Sequence, residues 1–178
     1  MKKLILLCYL LTINIILGQN ESKQNDLSKA ELFSSKSGTL IKKVSIDIGK
    51  VEGIELKIIQ FTDMISGESL SALRFEKRTI NKYSSGTKVA SLDIDELDGL
   101  IKSIIIIRDN VFGSVPKNYT EINFKSRSGF QAGCFFSRNE WGTFLQIKKH
   151  DNKSFVLLKR DDFYKLLELL EIAKKQLT

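Results

Sequence analysis

One histidine, one proline and two cysteines are all that 178 residues contain of these three types. The histidine, His150, lies in a polar stretch beside Lys148, Lys149 and Lys153. Serine and cysteine hydrolases usually need a histidine base, and zinc sites usually recruit more than one His or Cys, so both classes are disfavoured. A single proline argues against proline-rich linkers. No phosphate-binding glycine loop, GxSxG or HExxH pattern occurs. No catalytic residue, cofactor or metal is therefore assigned. Carboxylate catalysis stays open, because two acids distant in sequence can meet in space, but no spacing singles out such a pair.

The two cysteines are Cys8 and Cys134. Cys8 falls inside a targeting segment. Met1-Lys2-Lys3 is a positive start, residues 4–17 are an apolar run broken only by Thr12 and Asn14, and Gly18-Gln19-Asn20 is small and polar. This is the layout of a secretory signal peptide over residues 1–18, too short to span a bilayer comfortably. Leu7 precedes Cys8 and apolar chain follows it, which excludes a lipid anchor at that cysteine. Cleavage removes Lys2 and Lys3 and lowers the formal charge from +7 to +5. It also leaves Cys134 alone, between Gly133 and Phe135, where a cysteine serves as a small buried hydrophobe. Localisation is expected to be secreted or periplasmic, with no transmembrane span after cleavage.

Hydrophobic residues make up 42% of the chain and charged residues 28%, which is ordinary for a folded domain. The basic balance favours anionic partners or simply keeps the protein soluble. Residues 19–39 are polar, with few apolar positions, and predict a flexible arm. Residues 40–178 predict a single α+β domain. Val44, Ile46 and Ile48 alternate with polar residues, as do Ile54, Leu56 and Ile58, and the two runs read as a hairpin. A strand over 70–77, a polar loop over 81–86 and a strand over 88–93 follow. Leu97, Leu100, Ile101 and Ile104 then take helical spacing, although the β-branched run 104–107 also suits a strand. After a connector over 111–117, strands are expected over 119–125, 130–136, 141–148 and 154–159, then a helix over 161–177.

Two stretches stand as copies of each other at an offset of 66 residues: Leu92, Asp95, Glu96, Leu97, Leu100, Ile101 and Ile104 against Leu158, Asp161, Asp162, Phe163, Leu166, Leu167 and Leu170. Each reads as a strand end, an acidic pair and an amphipathic helix. The chain thus divides into tandem ββββα-like half-repeats, about 44–108 and 119–177, forming a mostly antiparallel sheet with two amphipathic helices packed on it. This element order resembles the Whirly-type fold, whose two units share one domain and bind single-stranded DNA. The acids have a local explanation. Asp93, Asp95, Asp98 and Gly99 invite a calcium loop, but Leu97 occupies a ligand position, and helix capping accounts for the carboxylates.

The strands of the second half carry the most suggestive surface. Alternation sets Asn123, Lys125 and Arg127 opposite Ile122 and Phe124; Phe135 opposite Cys134 and Phe136; and Phe144, Gln146 and Lys148 opposite Leu145 and Ile147. In register, Lys125, Arg127, Phe135, Phe144 and Lys148 would share one face. That face either binds a sugar, a single strand or a peptide by stacking and charge, or lies covered, with Phe135 and Phe144 beneath a helix or the N-terminal hairpin. The second arrangement is the commoner. Together these features favour a non-enzymatic binding or interaction module of a bacterial cell envelope. Its partner would be an envelope protein or an anionic ligand. A single-stranded nucleic-acid-binding protein and a carboxylate-dependent hydrolase are the alternatives. The signal segment argues against a nucleic-acid partner.

Overall fold

The computed structural model describes residues 27–81 and 84–177. The expected signal segment 1–18, with Cys8, and the expected arm up to residue 26 lie outside the described residues. Two four-stranded antiparallel meanders follow each other along the chain. Sheet A comprises β1 (Ile41–Val51), β2 (Ile54–Asp63), β3 (Ser69–Asn81) and β4 (Ser84–Leu92), and α2 (Ile94–Ile106) follows it. Sheet B comprises β5 (Thr120–Lys125), β6 (Gln131–Ser137), β7 (Glu140–Gln146) and β8 (Phe155–Leu158), and α3 (Arg160–Leu177) follows that. A short helix, α1 (Lys29–Ser34), precedes both units. The ββββα units repeat at the offset the sequence shows: β4 ends at Leu92 and β8 at Leu158, while α2 starts at Ile94 and α3 at Arg160. The first turns also match. The Glu96 carboxylate accepts the Asp93 N–H at 3.1 Å, and the Asp162 carboxylate accepts the Lys159 N–H at 3.3 Å.

One core joins the units. Leu56, Leu73 and Phe75 of sheet A, Ala132, Cys134 and Leu145 of sheet B, Leu97 and Leu100 of α2, and Phe163, Leu166 and Leu170 of α3 are buried in a single cluster. Phe75 and Phe130 stack within it, with ring centroids 4.4 Å apart. Gly49 lets α3 approach β1, since a Cβ there would sit 2.6 Å from Leu169 Cδ2. A smaller cluster lies on the other face of sheet A, where Ala30 and Phe33 of α1 meet Ile59, Phe61 and Ala72.

Four local expectations change. Residues 28–35 are not part of a loose arm: Ser28 and Glu31 form a reciprocal capping box, and Ala30 is buried against sheet A. Residue 81 and residues 84–86, expected as polar loop, are strand, with Thr79 paired to Gly86 and Asn81 to Ser84. The ladder is made by main-chain groups, so it continues where the side chains no longer alternate between apolar and polar. Ile104 belongs to α2, as its helical spacing predicts, whereas the β-branched run does not turn to strand: Ile107 opens a π-helical turn through Val111, and both side chains are buried. In β1 the register shifts between Asp47 and Gly49, and Val44 and Ile46 stay partly exposed while only Ile48 of the three packs against the core.

Candidate functional site

Sheet A turns one face to the main core, and α1 covers the part of the other face where Ile59, Phe61 and Ala72 are buried. Sheet B turns one face to the core and leaves the other open, with Tyr119 66% and Leu157 61% exposed. Three rungs of side chains cross this outer face. The first is Glu121, Phe135 and Gly142; the second is Asn123, Gly133, Phe144 and Leu157; the third is Lys125, Gln131, Gln146 and Phe155. Register and the two-residue period of a strand thus bring Lys125, Phe135 and Phe144 together, as alternation predicts.

A hollow of about 440 Å³ opens over these rungs, lined by Tyr119, Glu121, Gln131, Phe135, Gln146 and Phe155, with Phe144 as its floor. Glycines make the space. A Cβ on Gly142 would lie 2.7 Å from the Phe135 ring, so that ring rests on the bare backbone. Phe144 is only 4% exposed. It is covered by Phe155, stacked at 5.3 Å and 20°, and flanked by Phe135 at 6.4 Å. Phe144 therefore supports the accessible rings rather than meeting a ligand with its own face.

The hollow is polar at its rim. Asn123 Nδ2 donates to Glu121 at 2.8 Å and to Gln131 at 3.2 Å. Tyr119 donates its hydroxyl proton to Glu121 at 3.0 Å, and this bond raises the phenol pKa. Rings set among amides and one carboxylate can stack on a flat or ring-shaped ligand and exchange hydrogen bonds with its edges.

Two of the expected cations are used differently. Arg127 lies past the end of β5 and donates to Asp93 at 2.7 Å and to Asp95 at 2.8 and 3.0 Å, with Glu96 3.3 Å away. These hydrogen bonds hold the Asp95 carboxyl down to about 2 and raise the guanidinium further. Asp93 and Glu96 are buried. Asp93 also accepts the N–H groups of Lys29 and Ala30 at 2.8 and 3.2 Å, which fastens α1 to the start of α2. Arg127 is thus the cation of a structural junction. Lys148 Nζ lies 3.9 Å from Glu31 of α1. Lys125 alone of the predicted cations sits on the open face without an ion pair among the described residues.

Cys134 is fully buried on the inner face, and burial pushes its thiol up to about 11. Among the described residues, no group of three or more His, Cys, Asp or Glu is placed to hold a metal ion.

Neither known protein families, nor curated proteins, nor solved structures give a match to this chain. The site therefore rests on its own geometry.

Sequence alternation placed the face but missed its exposed rings, Tyr119 and Phe155. The signal for Phe155 was present: Phe155 and Leu157 alternate on β8 as Phe144 and Gln146 do on β7. Which face of that four-residue strand is buried depends on its register with β7, and no local pattern carries that register.

Proposed function

We propose that this protein is an exported, non-enzymatic binding module of a bacterial cell envelope, and that its ligand lies on the outer face of sheet B. The carrying observation is the open hollow, floored by Phe144 and bordered by Phe155 and Tyr119, the latter largely exposed. Apolar rings left in water beside amide and carboxylate groups cost solvation unless a partner covers them. Among the described residues that line the hollow, Glu121 is the one carboxylate, whereas glycoside hydrolysis takes two. Export rests on the Met1-Lys2-Lys3 start and the apolar run to Leu17. Among the described residues no helix is long and apolar enough to cross a membrane.

Two measurements test the reading. Protein recovered from cells should lie in the periplasm or the medium and should begin near residue 19; cytosolic protein retaining Met1 overturns export. Soluble fragments of the native envelope, fractionated into glycans and peptides, are then titrated against the wild type and against Tyr119→Ala/Phe155→Ala. Loss of two stacked rings, each worth roughly 1 kcal/mol or more, should weaken the bound fraction at least about tenfold. A ligand held equally by both proteins places the site elsewhere.

A further inference from the structure

A second depression, about 230 Å³, adjoins the aromatic hollow, and Gln131 lines both. Its other walls are Lys125, Arg127, Lys149 and the Ser126 and Ser128 hydroxyls. The Arg127 guanidinium is taken up by Asp93 and Asp95. Among the described residues, Lys125 and Lys149 have no ion-pair partner. The turn before β6 brings them together. Gly129 has a φ of +82°, and a Cβ there would lie 3.1 Å from Lys149 Cβ, so the turn packs directly on the Lys149 stem. Two like charges on one concave surface repel, and an anion between them relieves that repulsion.

The basic depression and the aromatic hollow form one continuous surface. Lys125, Gln131, Gln146 and Phe155 are a single rung across four strands, about 14 Å from β5 to β8. A ligand spanning it meets rings and amides at one end and cations at the other. Glu121 stands on the aromatic side. A carboxylate there accepts from hydroxyl groups and repels phosphates, so a polymer charged at every unit, such as a single nucleic-acid strand, is disfavoured in the hollow. A hydroxyl-rich ring offers donors to Glu121 and acceptors to the amides, and apolar ring faces to Phe155 and Phe135.

We infer that the ligand of this face is an acidic glycan, with a sugar ring seated in the hollow by Phe155 and Phe135 and its carboxylate or sulfate held at Lys125 and Lys149. This inference rests on the outer face of sheet B being the binding surface.

The test titrates the whole protein with four probes: trigalacturonate, its methyl ester, a heparin-derived tetrasaccharide and octathymidylate. At least one acidic sugar should bind about tenfold or more tighter than the neutral ester, with an affinity that falls as salt rises. A preference for trigalacturonate over the heparin fragment assigns the charge to carboxylate, and the reverse preference assigns it to sulfate. Lys125→Gln/Lys149→Gln should abolish the difference between acid and ester and leave ester binding intact, whereas Phe155→Ala should weaken both. Both variants change exposed side chains, and an unaltered unfolding midpoint confirms that they fold. Binding of both acidic sugars no tighter than that of the ester overturns the acidic-glycan inference while leaving the binding face standing. Octathymidylate bound more tightly than either acidic sugar overturns it in favour of single strands. No binding of any probe also overturns it, and the envelope-fragment titration then decides the fate of the face itself.

Discussion

Gly133 and Gly142 occupy neighbouring strands on the same face of sheet B, and they are not equivalent. A Cβ on Gly133 would lie 2.2 Å from the Ile122 carbonyl oxygen and 2.7 Å from Asn123 Cα, both backbone atoms of β5. The atoms nearest a Cβ on Gly142 all belong to the Phe135 ring. Backbone cannot step aside without breaking the β5–β6 ladder, whereas a side chain can rotate. Gly133→Ala should therefore cost about 3 kcal/mol or more, at the upper end for overpacking, and Gly142→Ala about 1 kcal/mol. Urea unfolding midpoints of the two variants check the ranking, and a Gly133→Ala protein as stable as the wild type would refute it. The Gly142→Ala protein should retain its fold and lose ligand affinity, because Phe135 is the group that moves.

At the scale of elements, the junction around Asp93 holds together α1, the start of α2 and the turn after β5. Arg127 Nη2 sits 2.7 Å from Asp93 and 3.3 Å from Glu96, both buried carboxylates. Removing a partner from a buried ion pair costs about 3–5 kcal/mol. Arg127 is 36% exposed, and solvent screening lowers the figure, so Arg127→Met should cost about 2 kcal/mol. Its first structural effect should be faster amide exchange across α1, whose Lys29 and Ala30 N–H groups bond to Asp93. Exchange of α1 that stays as slow as in the wild type would detach that helix from the junction. The junction also imposes a pH dependence. The Asp95 carboxyl is held at about 2 in the folded protein against an ordinary 3.8. Its contribution is fully present above pH 3.8 and is lost as pH falls from about 4 through about 2. Unfolding midpoints should drop across that window in the wild type, and the drop should shrink in Arg127→Met; an equal drop in both proteins assigns the acid sensitivity to other carboxyls.

At the scale of the molecule, the halves cannot be stable separately, because each leaves its apolar face to the other. Phe75 of the first unit stacks on Phe130 of the second, and residues of both helices and both sheets belong to one cluster. Phe75→Ala should cost about 3–5 kcal/mol, as large-to-small changes in a closed core do, and the loss should register equally in both units. The near-ultraviolet signal of Trp141, in sheet B, and amide exchange in sheet A should report one coincident transition. Separate transitions would mean two independent domains. Much of this architecture was legible beforehand. Alternation in β2, β6 and β7 and helical spacing in α2 and α3 each encode which side is apolar, and the offset between the two strand-to-helix junctions encodes the tandem order. Less legible was whatever depends on distant partners. Glycine disfavours a helix interior, yet Gly99 lies within α2: a Cβ there would sit 3.2 Å from Phe124, and the glycine admits that ring. The role of Arg127 was obscured in the same way: its acidic partners lie more than 30 residues earlier, and only the folded chain shows that they use its charge.

The close approach of Leu169 to Gly49 has a consequence in time. These residues are about 120 positions apart in sequence, and at roughly 5–20 residues per second a ribosome takes roughly 6–24 s to make the chain between them. Over that interval the β1 end of sheet A has been synthesised and the helix that covers it has not. The nascent chain therefore exposes Ile48 and Val51, which the folded protein packs in its core, to any chaperone or translocation factor that meets it before α3 is made.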